Sequence, residues 1–499
     1  MSKAFLIVLF WMLGILSSAG ASERGKTYYV DSEKGDDRNH GLSEARPKKS
    51  LPMVEPGKFG PGDRILLKRG SVFQGVLKVS ASGSAMYPLI ISSYGEGEKA
   101  RIEGPDSSMA AIHVYNAAYV QLSDLEVVNQ GRERLAGRSG VRLEIEDFGE
   151  ARGIVLSGLD IRDVNGSLVK AEGGGAGILV INKGKKKVSV FHDLRIINNT
   201  IRRCERNGII FSSEYYRRDN WHPGKGLIIR GNLIEEVPGD GIVPIGYDGA
   251  LIEYNVMRKG TDLLPVGEAA AGIWPWSCDN TVVQFNEVSG HRAHWDGQGF
   301  DSDYNSRNTL IQYNYSHDND GGFLLICDNG SEGYPYNQGN TGTTVRFNIS
   351  VNDGIRKRKA RNGQMFSPAI HLAGPVDSVL VHDNIIYLGA KELSEADRTM
   401  VLADSWDGVP QRVRLVNNIF CSEEESGLRI DPASDEMEFA DNQWYGSFKA
   451  GGGVSADEGV GELRDMKTRI LELLRVNNDG AYPILLIDTL RLHKLFIKK

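Results

Sequence analysis

The sequence predicts an all-β fold, a right-handed parallel β-helix, and three observations predict it. A short phrase recurs: a few alternating apolar residues, then Asn, then another short apolar run. Asn199, Asn232, Asn255, Asn286, Asn314, Asn348, Asn384 and Asn418 stand at its centre, with Asn442 as a last instance. The spacing runs from 23 to 36 residues, and the variation falls in polar or Gly-rich inserts. A fixed phrase with variable inserts is the mark of stacked coils whose loops emerge on one side. Helical periodicity is almost absent, and 59 glycines in 499 residues indicate many turns. A β-propeller would need longer and more even blades. Asn suits the bend between short strands because it tolerates left-handed backbone and bonds neighbouring peptide groups. Stacked from coil to coil, such amides can also form a ladder.

From the N-terminus, residues 1–21 read as a signal peptide. Lys3 supplies the positive charge, AFLIVLFWMLGIL the apolar centre, and Ala19-Gly20-Ala21 the small residues for cleavage before Ser22. The apolar run is short for a membrane span and no Cys follows it, so a secreted or periplasmic protein without a mature span is expected. Residues 22–109 read as an N-terminal cap and first strands. The Asp36-Asp37 loop there shows too few oxygen ligands for calcium and reads as a solvated turn. Residues 110–448 carry the solenoid. In residues 449–499, GGGV is a hinge, and ELRDMKTRILELLR has the periodicity of a helix expected to cap the last coil. The tail PILLIDTLRLHKLFIKK is expected to be a packed or poorly ordered terminus rather than a membrane-surface helix.

A net charge of −7 and a pI near 5.9 provide no basic field, so nucleic acid is not an expected partner. The four cysteines (Cys204, Cys278, Cys327 and Cys421) form no CxxC pair and sit beside apolar strands. They read as buried thiols, not as disulfides or a zinc site. A monomer is expected.

The chemistry is expected in residues 294–330, HWDGQGFDSDYNSRNTLIQYNYSHDNDGGFLLICDNG. Asp301 and Asp303 stand at i and i+2 of a strand, so both carboxylates leave one side of the backbone. Aligning coils on the recurring Gly at 208, 241, 272, 299 and 322, then Ala369, gives two outward columns. The first is Val243, Trp274, Asp301, Leu324 and His371; the second is Ile245, Trp276, Asp303, Ile326 and Ala373. Coils stack about 4.8 Å apart, so two tryptophans lie one coil from two aspartates. Indole faces beside carboxylates suit a carbohydrate groove. Asp240, His291, His294, Asp296, His317, Asp318 and Asp320 fall in the neighbouring bends, and so many acids together should raise at least one pKa.

Glycoside hydrolysis is the first expectation, with no cofactor and a polysaccharide or oligosaccharide substrate. Asp301, Asp303 and Asp320 would supply acid and base, and His294 or His317 would orient them. Trp274, Trp276, Asp240, Asp296 and His371 would bind substrate, joined by Arg356 and Arg358 from the basic loop IRKRKAR.

On its recurring Asn phrase, over about residues 26–445, the chain resembles the pectate-lyase-like β-helix superfamily. That resemblance implies a secreted carbohydrate-active protein, and it is specific for the fold but weakly so for the reaction. The acidic stretch looks like that of certain β-helix pectate lyases, in which Asp-Gly-Phe is followed one coil later by Asn-x-Asp-Asp-Gly. Matching positions are Gly299-Phe300 with a displaced acid at Asp301, then Asn319-Asp320-Gly321. The resemblance therefore implies an alternative, a lyase acting on a uronate polymer with Ca²⁺ on Asp301, Asp318 and Asp320. The second motif departs from the pattern, no further acid follows in FLLI, and no Lys stands on the expected coil. Alginate epimerases carry a similar Gly-Phe-Asp strand, but Asp303 stands where they have His. A non-catalytic glycan-binding or adhesion β-helix is the third expectation.

Overall fold

The computed structural model describes residues 25–330, 337–449, 460–478 and 483–497. The leader at 1–21 and the GGGV stretch lie outside the described residues. Each coil contributes short strands to three parallel sheets. The first sheet has fourteen strands, from Thr27–Val30 to Met437–Ala440, paired in parallel throughout. The second runs from Val72–Gln74 to Gln443–Phe448. The third begins at Leu77–Val79, reaches Ile242–Val243, and resumes at Phe300–Ser302. Between them isolated bridges connect it: Ile242 to Ile273, Ile245 to Trp276 and Ile273 to Phe300. Pro244 and Pro275 stand in this gap and have no N–H to give the ladder. Their carbonyls still accept, from the N–H of Trp276 (3.1 Å) and Asp303 (3.2 Å) respectively.

Inside the coils, one apolar position repeats at constant register. Ile196, Ile229, Ile252, Val283, Ile311, Val345, Val381 and Leu415 stack along the first sheet, and all are fully buried. Strands buried on their inner face and twisted little favour such β-branched stacks.

The bend from the first to the second sheet carries the asparagine ladder. Each Asn from 199 to 418 donates both its backbone N–H and its Nδ2 to the Oδ1 of the Asn one coil on. For Asn286 and Asn314 these distances are 2.9 and 3.0 Å, and for Asn418 and Asn442 also 2.9 and 3.0 Å. The Nδ2 group also bonds a main-chain carbonyl of the preceding coil, as from Asn314 to Val283 (2.9 Å). The left-handed residue is the one before each Asn, not Asn itself. Asn198, Gly231, Tyr254, Phe285, Tyr313, Phe347, Asp383, Asn417 and Asp441 all have φ between 53° and 66°. The recurrence of Asn is therefore owed to its buried amide, while its predecessor bears the backbone strain. Four of those strained positions carry aromatic rings that stack outside the bend, with centroids 5.1, 5.2 and 5.4 Å apart.

At the C-terminus, helix α1 (Val460–Glu472), an antiparallel hairpin (Leu474–Asn477 with Ile484–Ile487) and helix α2 (Thr489–Ile497) follow the last coil. The expected helix is present, but this segment lies along the outer face of the second sheet instead of closing the last coil. Met466, Ile470, Leu492 and Phe496 pack on Tyr315, Ile349, Ile385 and Ile419. His493 meets the aromatic stack, its Nε2 3.0 Å from the Tyr313 hydroxyl. Those outward side chains of the sheet are apolar, and covering them removes their surface from water. The four cysteines are buried and free.

Replacing Asn314 by Ala should strand the two donors of Asn286 and the carbonyl of Val283 in the interior. A loss on the order of 3 kcal/mol is expected, from about 1–3 kcal/mol per stranded buried group. Asn442→Ala, at the half-buried end of the ladder, should cost less. Chemical denaturation midpoints of the two variants check the order.

Candidate active site

The third sheet and the bends that enter it bring Asp240, Asp296, Asp301 and Asp303 together. Asp301 lies in the strand Phe300–Ser302 and is buried, 4% exposed. Asp303, two residues on, leaves the same side and is half-buried, as is Asp296 in the preceding bend. Asp296 closes the two-residue strand Trp295–Asp296, paired with Ala269–Ala270, and has φ +59°. Asp240 is fully buried below them.

Their surroundings differ. The Asp296 carboxyl is pushed up to about 7, first by desolvation and then by the charge of Asp303; Arg361 and Lys170 oppose the shift. Asp301 is raised well above the carboxylate range by burial and by Asp296, Asp303 and Asp240. Its Oδ1 has no hydrogen-bond partner. Asp303 is also raised by burial, but it accepts the Tyr304 N–H (2.6 Å) and the Cys327 thiol (3.2 Å), which favour its anion. Asp240 serves as support. Its Oδ1 accepts the indole N–H of Trp274 and the N–H of Ala271, both at 3.1 Å, and the buried Arg206 guanidinium lies 3.8 Å from its Oδ2.

Aromatic and cationic side chains surround the acids. Lys170 Nζ lies 4.9 Å from the Trp274 ring centroid. Its loop is held where the Lys170 N–H donates to Glu268 (2.9 Å), itself paired with Arg206 (3.0 Å). Trp276 is half-buried, its ring 4.9 Å from that of Tyr216. Trp295 stacks on Phe366 at 5.4 Å, with the Arg361 guanidinium 4.3 Å from its centroid. Arg361 is legible in the sequence only as part of the basic loop, and Lys170, Trp295 and Phe366 are not among the expected site residues. Trp295 has a local signal in its position beside Asp296; Lys170 comes from one loop and Arg361 and Phe366 from another, and only the fold brings them in.

Two column positions shift. Asp301 pairs with Leu325 and then His371, and Ser302 with Ile326, so Leu325 and Cys327 replace Leu324 and Ile326 in the outward columns. The cause is one extra residue: the N–H groups of both Phe323 and Leu324 donate to the Ala369 carbonyl (2.8 and 3.1 Å). Phe323 is thereby turned fully into the core.

Several expected site residues lie elsewhere or do other work. His317 and Asp318 leave the second sheet and pair with each other at 2.7 Å; His317 also faces Glu287 at 3.5 Å and is pushed up to about 9 by these acids against its burial. Asp320 sits in a corner against Arg292 (2.8 Å). Of the expected calcium set, Asp318 and Asp320 are thus taken by separate partners, His317 and Arg292, while Asp301 stands in the acid cluster. His294 faces Asp262 at 3.5 Å. His371 follows Asp301 and Leu325 in the outward column and is buried, bonded to Asp404 at 2.8 Å and edged by Phe366 and Trp406. Arg358 pairs with Asp262. Arg356 is buried, and its guanidinium is used up by main-chain carbonyls. His291 is buried and held neutral, its pKa lowered to about 4 by desolvation.

The raised Asp296 pKa makes a stability prediction. Below the ordinary value of 3.8 the group is neutral folded and unfolded; from there to about 7 the unfolded chain ionises while the folded chain holds its proton. Wild-type stability attributable to this group thus falls as pH rises across that window and then levels. Asn suits the left-handed position and does not titrate. Asp296→Asn should therefore gain thermal stability over wild type steadily from about pH 4 to pH 7, measured as the difference in Tm.

Comparison with known proteins agrees with this architecture. Residues 176–341 match a family model described as right handed beta helix region. A lacto-N-biosidase of Bifidobacterium longum subsp. longum is 28% identical over 430 residues, an alignment covering 67% of this chain and 26% of that protein. The chain thus spans about a quarter of the length of that relative. The crystal structure of a GH136 lacto-N-biosidase from Eubacterium ramulus superposes with a TM-score of 0.61 at 24% identity, covering 85% of this chain and 68% of that one. By sheet topology, the partial family match and structural likeness, this chain has the right-handed parallel β-helix fold.

Proposed function

We propose that this protein is an exported glycoside hydrolase that cleaves an oligosaccharide carrying lacto-N-biose, with Asp296 as proton donor and Asp303 as the ionised carboxylate. The observation that carries the assignment is a pair of neighbouring carboxyls in unequal surroundings, with the charge of Asp303 helping to raise Asp296. A carboxyl raised to about 7 holds its proton near neutral pH and can release it to a leaving sugar oxygen. Asp303, with a main-chain N–H and a thiol bonded to it and Lys170 nearby, is the carboxylate best kept anionic. It would attack the anomeric carbon or activate water. Asp301, more buried than Asp296 and Asp303 and held neutral, would offer its O–H to a sugar hydroxyl or to a neighbouring carboxylate. Trp276, Trp295 and Tyr216 would supply apolar faces for sugar rings. The likeness to two lacto-N-biosidases supports both the reaction class and the sugar. The N-terminal charge, apolar run and small residues support export. No metal is required in this scheme.

The test is hydrolysis of a chromogenic lacto-N-bioside beside a panel of plant and algal polysaccharides, each with and without chelator. Chelator-insensitive release of reducing sugar is expected, without an unsaturated product absorbing in the ultraviolet. Asp296→Asn and Asp303→Asn should each lower kcat about 10³-fold, within the range usual for acid–base groups. The kcat/KM profile should fall on its alkaline side near pH 7, where Asp296 loses its proton, and on its acidic side as Asp303 gains one. An ultraviolet-absorbing product, or full activity in Asp303→Asn, overturns the assignment.

A further inference from the structure

The bend that carries Asp296 is paired with Ala269–Ala270 and is also clasped by the loop of residues 356–366. Arg356 Nη1 donates to the carbonyls of Ala293 and His294, both at 2.7 Å, and Nη2 to the carbonyl of Asp296 at 2.6 Å. Its Nε donates to the Phe366 carbonyl at 3.0 Å. Arg356 itself is 3% exposed. The same loop lays Phe366 and Arg361 against Trp295. A guanidinium can fan several donors in one plane, whereas an ammonium on a flexible stem cannot reach such a set of carbonyls together. The residue clasped is the one with left-handed backbone, φ +59°, a conformation that costs roughly 1–2 kcal/mol for an L-residue and persists only where its surroundings impose it.

We propose that Arg356 is a positioning residue: by binding the main chain of residues 293–296 and of Phe366 together, it holds the Asp296 carboxyl toward Asp303 and away from water. It touches neither substrate nor the reacting carboxylate oxygens. The inference rests on Asp296 as proton donor, and the groups that bear on that carboxyl are Lys170, Asp240, Asp301, Asp303, Arg356 and Arg361. Arg356→Lys keeps the local charge and tests the clasp alone.

Arg356→Lys should fold, lose about 10²-fold in kcat as expected for a catalytic group displaced by an ångström, and change KM by less than about threefold. With the bend loosened, Asp296 becomes better solvated. Its titration, read by carbon-13 carboxyl signals, should then move to lower pH, and the alkaline limb of kcat/KM with it. Arg356→Ala should recover part of the lost kcat when guanidinium ion is added. Unchanged kcat and unchanged Asp296 titration in the folded Lys variant overturn the proposal, as does a loss of kcat with the titration unmoved. The carboxyl titration needs no substrate. A failure of the hydrolase assignment would therefore appear as an inactive wild type whose Asp296 still responds to Arg356.

Discussion

Each buried asparagine amide in the ladder meets the same demand from both sides. Its oxygen must receive two donors from one coil, while its nitrogen must find the oxygen of the next coil and a carbonyl of the one before. A coil displaced by one residue would leave several polar groups unpaired in the interior, so the ladder penalises any slip. Apolar stacking alone resists a slip less sharply, because Ile, Val and Leu replace one another at little cost in volume. Register along the coils from Asn199 to Asn442 therefore depends on hydrogen bonds at one corner. The left-handed residue before each Asn is strained, and the regular ladder and stacked rings outside it offset that strain.

A fixed register on one corner leaves the opposite side free to vary. The third sheet thins where Pro244 and Pro275 withhold donors, and here the inserts are long and the polar groups many. Four carboxyls collect at this interruption, and three of them are raised by burial and mutual repulsion. Such a cluster opposes folding, since neutral or apolar residues would pack there without a desolvation penalty. The rigid coils on either side supply what holds it together. Supporting bonds run outward in layers, from Trp274 to Asp240 to Arg206, and from the Asp296 bend to Arg356. Preorganised charge in a partly dry site is a source of catalytic power, and its unfavourable folding energy is borne by the solenoid.

The distribution of basic residues shows how position, not composition, assigns a role. The run Arg356, Lys357, Arg358, Lys359 and Arg361 looks in sequence like one basic loop able to hold substrate. Folded, its members divide: Arg356 is consumed by carbonyls, Lys357 and Arg358 by loop acids, and Arg361 lies over an indole beside the acid cluster. The histidines divide likewise, with His371 bonded to Asp404 on the third sheet and His317 on the second.

The periodic features of this protein were legible in its sequence because stacked coils repeat the same local requirement. The Asn phrase, the apolar alternation and the pairing of Asp301 with Asp303 on one side each follow from spacing within one or two strands. The helical pattern of ELRDMKTRILELLR was legible for the same reason, but the surface it covers was not. What spacing could not convey was anything dependent on an irregular insert. The extra residue at Phe323, the arrival of Lys170 over Trp274 and the clasp of Arg356 on the Asp296 bend join segments tens of residues apart. Burial then decided which carboxyl keeps its proton, because a pKa in such a cluster follows from the solvent removed and the charges nearby, and both are properties of the folded chain alone.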